Sequence, residues 1–496
     1  MLVPLVELPA LTEREAGESS GSHVDGVTIP LQVLRLSMTG ELYVKAGATD
    51  GEGSLSADAA QQYKPLLVAA RCRVGDFKFD ASDELPAQLA EAVVSWLDAG
   101  AVKAVISLKL GDALEDPSSV LTSFMNWTTQ LPDARHRLIA SISAADVCIG
   151  GAVSISKLTK VTKAIQTVCA GMQVEVSSAA ALTLKQFASA LKPLRGKEGA
   201  SDYIDISMSM SSGELPPSLA HVCELHKDFV MDVAAPACVS VSTGPEAGEG
   251  ASNGSSASAD ASDGSIDAAE AFAGCLRSDR PDGLFTTVVC DASGVALGLV
   301  YSNSDSIKAS LQCGRGVYWS RSRGGLWRKG DTSGAWQELI GLTMDCDSDA
   351  IKFTVTQHGA PPAFCHFNRR NCWESDRGLG HLERTLQGRL VSAPEGSYTK
   401  RLFGDTKLLR NKLVEEAQEL AEAETVDEVA SEAADLMYFM MVRCVAAGVG
   451  VKDVESWLDR RSLKLNRRPG NDKAYRIAAG DAILSQGQGS LPKPPA

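Results

Sequence analysis

The chain has 496 residues, with 48 Lys and Arg against 62 Asp and Glu and a net charge of −14. Such an acidic balance argues against general nucleic-acid binding, so basic groups that hold a phosphorylated substrate must be gathered locally. No apolar run is long enough to span a bilayer and no charged-then-apolar leader follows Met1, so a cytoplasmic protein without membrane insertion is expected, its twelve cysteines reduced rather than paired.

At one domain per ~150 residues the length predicts about three domains. In residues 1–242, apolar runs at Leu66–Ala70, Ala101–Leu108, Leu138–Ile142, Met172–Val176, Tyr203–Ser207 and Phe229–Ala234 read as strands. They alternate with helix-like stretches near 83–99, 117–129, 154–170 and 178–192. That rhythm predicts a parallel α/β layer or an incomplete barrel. Asp146, Glu175 and Asp205 fall at strand ends without a visible partner, and no glycine-rich phosphate loop follows a strand. A noncatalytic scaffold or dimer-support role is therefore expected here, and a fragment beginning near Ala268 should keep whatever chemistry lies beyond. Residues 243–264 are rich in Gly, Ser and Ala and carry almost no large apolar group, which predicts a flexible linker.

The next segment carries metal-binding chemistry. Asp345, Cys346, Asp347 and Asp349, then Cys365-His366 and Cys372, place three carboxylates and three thiols close together in sequence. Thiolate suits zinc and a carboxylate cluster suits magnesium. Written on a strand, Asp-x-Asp-x-Asp would put the three carboxylates on one face and Cys346 on the other. A free cysteine is often only a small buried hydrophobe, but the polar run Cys-His-Phe-Asn-Arg-Arg-Asn-Cys is not a core pattern. Three thiolates leave zinc a fourth, open position, as catalytic sites do.

Together with Gly283–Val289, Gly314–Arg323 and Leu326–Gly334, this segment resembles phosphoribosyl-AMP cyclohydrolase of histidine biosynthesis over roughly residues 278–374. The resemblance implies a β-rich α+β domain (265–375) and zinc ligands Cys346, Cys365 and Cys372 drawn from two subunits of a homodimer. It also implies magnesium at Asp345, Asp347 and Asp349, and His366 as the proton carrier. The basic strip supplies candidate substrate contacts at Arg321, Arg323, Trp327, Lys329, Thr332 and Ser333, through cations, hydroxyls and exposed backbone N–H groups. Trp319 and Trp327 also suit packing.

Downstream, Lys412–Leu420 and Glu432–Leu436 carry Glu-x-x-Glu and Glu-x-x-Asp spacings. On helices these put Glu416 with Glu419, Glu415 with Glu419, and Glu432 with Asp435 on shared faces, where like charges repel unless a cation lies among them. The pattern resembles phosphoribosyl-ATP pyrophosphohydrolase, an all-α family, over roughly 378–473. That resemblance implies a helical domain (376–480), magnesium at Glu416, Glu419, Glu432 and Asp435, catalytic roles for Glu415, Glu416 and Glu419, and phosphate contacts at Lys400, Arg401, Lys412, Arg467 and Arg468. Residues 481–496 are expected to be a disordered tail.

The implied fold is thus an N-terminal α/β domain, a β-rich α+β domain and an all-α domain. The implied function is bifunctional: phosphoribosyl-ATP is cleaved to phosphoribosyl-AMP and pyrophosphate, and the adenine ring of phosphoribosyl-AMP is then opened. The fungal multifunctional proteins of histidine biosynthesis share this arrangement and usually continue into a histidinol dehydrogenase, an activity not expected here. The competing reading is an inactive metal-binding scaffold that kept these folds.

Overall fold

The computed structural model describes residues 2–7, 21–24, 27–30, 38–45, 57–79, 86–110, 118–149, 152–176, 184–195, 204–210, 219–229, 232–235, 239–240, 266–373 and 377–465. The expected linker at 243–264 and tail at 481–496 lie outside them, as do Arg467 and Arg468. The chain divides into two compact units, Met1–Trp373 and Glu374–Ala496.

In the first unit, eight strands pair in parallel, each with the next in sequence: β1 (Leu2–Glu7), β2 (Leu42–Lys45), β3 (Cys72–Phe79), β4 (Lys103–Leu108), β5 (Leu138–Ser143), β6 (Gly171–Val176), β7 (Asp205–Met210) and β8 (Asp232–Ala235). β8 returns to β1, so the sheet closes into a barrel rather than the open layer or incomplete barrel expected from the rhythm alone. Sequence periodicity missed the closure because β1 and β2 are separated by a long stretch without helical pattern. Of Leu66–Ala70, expected as a strand, all but the C-cap residue Ala70 belongs to the helix Lys64–Ala69, with Pro65 in its first turn, a position that tolerates a missing N–H.

The other connecting helices include α1 (Pro86–Ala99), α2 (Ser118–Thr128), α3 (Ile155–Val168), α4 (Leu184–Leu191) and α5 (Leu219–Phe229). Alternation sorts the strand residues: Tyr43, Val105 and Ile139 form one cluster, and Met172 faces the helices, where its sulfur meets Thr162 of α3. At the N-terminal ends of the strands the charges are paired. Glu41 accepts from Arg73 and lies 3.9 Å from Lys103, which also lies 3.8 Å from Asp205. Asp205 therefore has a structural partner, at the end of a barrel where side chains serve stability.

The helix α6 (Ala268–Cys275), capped by Asp267, packs against α5 and β1 and leads into the second part of the unit. There β9 (Phe285–Asp291), β10 (Ala296–Ser302), β13 (Gln337–Met344) and β14 (Ala350–Gln357) make a four-stranded sheet in the order β10-β9-β14-β13. Between them lie α7 (Ser304–Cys313) and the hairpin β11 (Val317–Ser320) and β12 (Gly325–Arg328). Buried Tyr318 ties hairpin to sheet: its hydroxyl donates to Gln337 at 2.6 Å, and its ring lies 5.1 Å from that of Phe353.

The second unit is all helical: α8 (Gly378–Val391), α9 (Tyr398–Gly404), α10 (Thr406–Glu422), α11 (Val426–Ala446) and α12 (Val451–Ser462). Leu386, Leu402, Leu409, Phe439, Met441, Val442, Val445 and Val451 form its core. Asp405 caps α10, and a Thr425–Glu428 capping box starts α11, satisfying N–H groups that have no partner inside the helix. No single helix among the described residues is long and apolar enough to cross a membrane.

Candidate active sites

The carboxylates of Asp345, Asp347 and Asp349 converge within 4.8 Å, but not on a strand. The segment is the turn joining β13 to β14, with Ser348 at φ +66°, a left-handed conformation that costs a non-glycine residue energy. Asp345 shapes the turn by accepting from the backbone N–H groups of Asp349 (3.0 Å) and Ala350 (3.1 Å). The Asp349 carboxyl is raised above its ordinary range by its hydrogen bond to Asp345 and by the negative charges of Asp347 and Asp345. Chain reversal, rather than strand alternation, gathers the three groups, and a divalent cation would relieve their repulsion.

A second turn carries the thiols. Phe364 N–H donates to the carbonyl of Arg370 and Cys365 N–H to that of Arg369, while Asn368 takes φ +57° between them. Arg370 is locked to Asp291 of β9 at 2.6 Å, and Cys372 N–H donates to Leu297 of β10 at 2.8 Å. This brings Cys365 and Cys372 together. Partial burial and then the neighbouring Cys365 push the Cys372 thiol up. Among the described residues Cys346 does not join them in a three-ligand group; it is exposed on the acidic turn. The exposed His366 stands beside the pair, its Nδ1 4.0 Å from the Cys365 sulfur.

Lys329, expected among the phosphate contacts, is buried and bound to the carbonyls of Ala363 (3.2 Å) and Ala335 (3.4 Å). Burial lowers its ammonium pKa, and the nearby Cys372 and Cys365 act the other way. Its charge opposes the rise of the Cys372 thiol without cancelling it. The rest of the strip divides by exposure. Arg321 and Arg323 are exposed, and Arg321 lies 4.1 Å over the Tyr301 ring, which Arg280 also approaches at 4.4 Å. Thr332 and Ser333 are exposed in the following turn, whereas Trp327 is half-buried with its ring 5.9 Å from that of Tyr318.

In the helical unit Glu416, Glu432 and Asp435 converge within 4.8 Å across α10 and α11. Glu416 is buried, and Lys412, one turn earlier, reaches it at 2.7 Å and Glu415 at 2.9 Å. Hydrogen bonding to Glu416 raises the Lys412 pKa. Lys412, expected as a phosphate contact, is thus engaged within the acidic cluster. The Glu419 carboxyl is raised by burial and then by Glu416 and Glu432, so it belongs to the same electrostatic group. Glu415, Lys400 and Arg401 are exposed. Ser348, Arg370 and Asp291 carry no motif, and only the packed turn reveals what they do.

Comparison with known proteins agrees with this division. Residues 298–374 match the phosphoribosyl-AMP cyclohydrolase family and residues 379–462 the phosphoribosyl-ATP pyrophosphohydrolase family, so the chain carries both hydrolase domains. The histidine biosynthesis trifunctional protein of Neurospora crassa is 54% identical over 197 residues, 40% of this chain and 22% of that one. The bifunctional protein his7 of Schizosaccharomyces pombe is 51% identical over 196 residues, 40% of this chain and 46% of its own length. The chain therefore spans less than half the length of either fungal relative. The bifunctional protein HisIE of Thermus thermophilus is 37% identical over 194 residues, which cover 36% of this chain and 89% of the Thermus protein. With nearly all of that protein matched, and with both domains present in tandem, the chain belongs to the HisIE family of bifunctional histidine-biosynthesis proteins.

Proposed function

We propose that the chain hydrolyses phosphoribosyl-ATP to phosphoribosyl-AMP and pyrophosphate in its helical unit, and opens the adenine ring of phosphoribosyl-AMP in its β-rich part. The observation that carries this reading is the pair of separate carboxylate clusters, 345/347/349 and 416/432/435, each within 4.8 Å and each inside one of the two matched domains.

For ring opening, Cys365 and Cys372 fit a zinc ion with Cys346 supplied by a second copy of the chain. This accounts for two thiols in contact and a third exposed apart from them. Bound zinc supplies a water acidic enough to attack carbon near neutral pH. Lys329 places a positive charge beside the sulfurs that would hold zinc, and the exposed His366 imidazole exchanges protons with the reacting ring. Arg321 and Arg323, with Thr332 and Ser333, hold the substrate phosphates.

For pyrophosphate release, Glu416, Glu432 and Asp435, with Glu419 beside them, fit magnesium, which neutralises a polyphosphate when bound. Glu415 and Glu419 lie on the exposed side and orient the attacking water, while Lys400 and Arg401 hold phosphate. The working form is a cytoplasmic homodimer.

One incubation of the full chain with phosphoribosyl-ATP, zinc and magnesium tests the whole reading, with pyrophosphate and the ring-opened imidazole followed together. Both products are expected. Cys365→Ser should abolish ring opening and leave pyrophosphate release. If neither product forms, the inactive-scaffold reading stands instead, and a fully active monomer by light scattering rules out the shared zinc site.

A further inference from the structure

Ser348 differs from the rest of its turn. Its neighbours Asp345, Cys346 and Asp347 are exposed, yet Ser348 is 5% exposed. What covers it is the N-terminal barrel. The Nε2 of His226, on α5, lies 2.9 Å from the Ser348 hydroxyl across 122 positions of sequence. The Ser348 carbonyl accepts from the backbone N–H of Arg277 at 2.7 Å, and the Arg277 guanidinium donates to the carbonyl of Lys227, the residue after His226. Just upstream, Leu342 of β13 donates its N–H to the carbonyl of Met38, which precedes barrel strand β2. The acidic turn is therefore held to the barrel at its tip and along the strand that feeds it.

We propose that the barrel is a positioning device for the cyclohydrolase cation site, with His226 and Arg277 as positioning residues acting through Ser348. The left-handed backbone at Ser348 carries a cost, and such conformations persist where surrounding contacts hold them. The residues on either side of it are Asp347 and Asp349, whose side chains must point inward together with that of Asp345 although their charges drive them apart. Anchoring the one residue between them through both hydroxyl and carbonyl keeps the carboxylates converged before any cation arrives. Without the anchor, part of the binding energy would go into re-forming the turn. The noncatalytic role expected for this region thus acquires a specific task, and it rests on the reading of Asp345, Asp347 and Asp349 as a divalent-cation site.

The test uses the full-length chain and Mn2+ as probe, with free and bound metal followed by electron paramagnetic resonance. Asp347→Asn defines which part of the binding belongs to this turn and separates it from the helical cluster. His226→Ala should weaken that part about fivefold, the equivalent of one hydrogen bond of about 1 kcal/mol. Ser348→Ala should do the same, and the double variant no more than either single one, because both remove the same contact. His226→Gln, which restores a donor of similar reach, should recover most of the affinity. The half-saturating Mg2+ concentration for ring opening of supplied phosphoribosyl-AMP should rise in the same proportion, with turnover at saturating Mg2+ unchanged. If Asp347→Asn lowers Mn2+ binding while His226→Ala and Ser348→Ala leave it intact, the positioning role is wrong and the cation site stands. If Asp347→Asn itself changes nothing, the site and the proposal fall together. Should His226→Ala not fold, Ser348→Ala and His226→Gln carry the same comparison.

Discussion

The two acidic clusters solve the same electrostatic problem in different ways. In the β13–β14 turn, three carboxylates from one short segment meet on an exposed hairpin, and their own repulsion shows in the raised Asp349. In the helical unit the carboxylates come from two helices, one of them is buried, and Lys412 already supplies a positive charge at 2.7 Å. A turn can gather ligands cheaply but needs outside bracing to hold them. A packed helix pair holds its ligands by its core and needs an internal counter-charge while no cation is bound.

The largest test of this contrast removes one charge from each cluster. Glu416→Gln keeps the shape but deletes the buried carboxylate charge of the proposed magnesium site, so pyrophosphate release should fall about a hundredfold or more, since metal stabilisation of developing charge is worth several kcal/mol. Ring opening of supplied phosphoribosyl-AMP should persist. Asp347→Asn should give the opposite selectivity, with pyrophosphate release intact. Measuring both products for both variants decides whether the clusters are independent; loss of both activities in either variant would mean that they are not.

How much of this was legible beforehand follows from how local each contact is. The i, i+3 and i, i+4 carboxylates of α10 and α11 were readable because helix geometry fixes which side chains are neighbours. The thiols and aspartates were readable as residue types but not as shapes: Asp-x-Asp-x-Asp suits a strand as well as a turn, and the choice was made by β13 and β14 pairing around it with Ser348 left-handed. Lys329 looked like one more cation in a basic strip, and only the fold sends it inward to Ala363. The parallel strands of the barrel were partly visible as apolar runs, but its closure depends on β1 pairing with β8 over two hundred positions away. His226 meeting Ser348 had no signal at all, since neither residue belongs to a motif.

A smaller effect sharpens the helical side of the comparison. Lys412→Met removes the counter-charge of Glu416 while keeping much of the aliphatic stem. In metal-free protein the helical unit should lose about 1–2 kcal/mol of stability, less than for a fully buried pair because Lys412 and Glu415 reach solvent. Magnesium should restore more stability to this variant than to the parent chain, since the cation takes over the missing charge. Thermal unfolding with and without Mg2+ measures the difference, and an equal gain in both proteins would show that Lys412 and the cation do not share the site.

The smallest effect comes from a carboxylate whose neutralisation is permanent. Glu41, at the N-terminal end of the barrel, is pushed up by burial but pulled further down by Arg73 and Lys103, so its net shift is below the ordinary carboxylate range. An unfolded glutamate titrates at about 4.3. A folded value below that means the unfolded chain binds the proton more readily, so Glu41 contributes its full stability above the unfolded pKa. That contribution is lost as the pH falls through the folded value. Glu41→Gln should therefore lower barrel stability at neutral pH and flatten its acid dependence, with no response to magnesium. Urea unfolding of parent and variant at pH 7 and in steps below pH 4.5 checks this. A variant whose stability fell with acid as steeply as the parent's would place the acid-sensitive charge elsewhere, and a magnesium response would give this cluster the cation-binding role proposed for the other two.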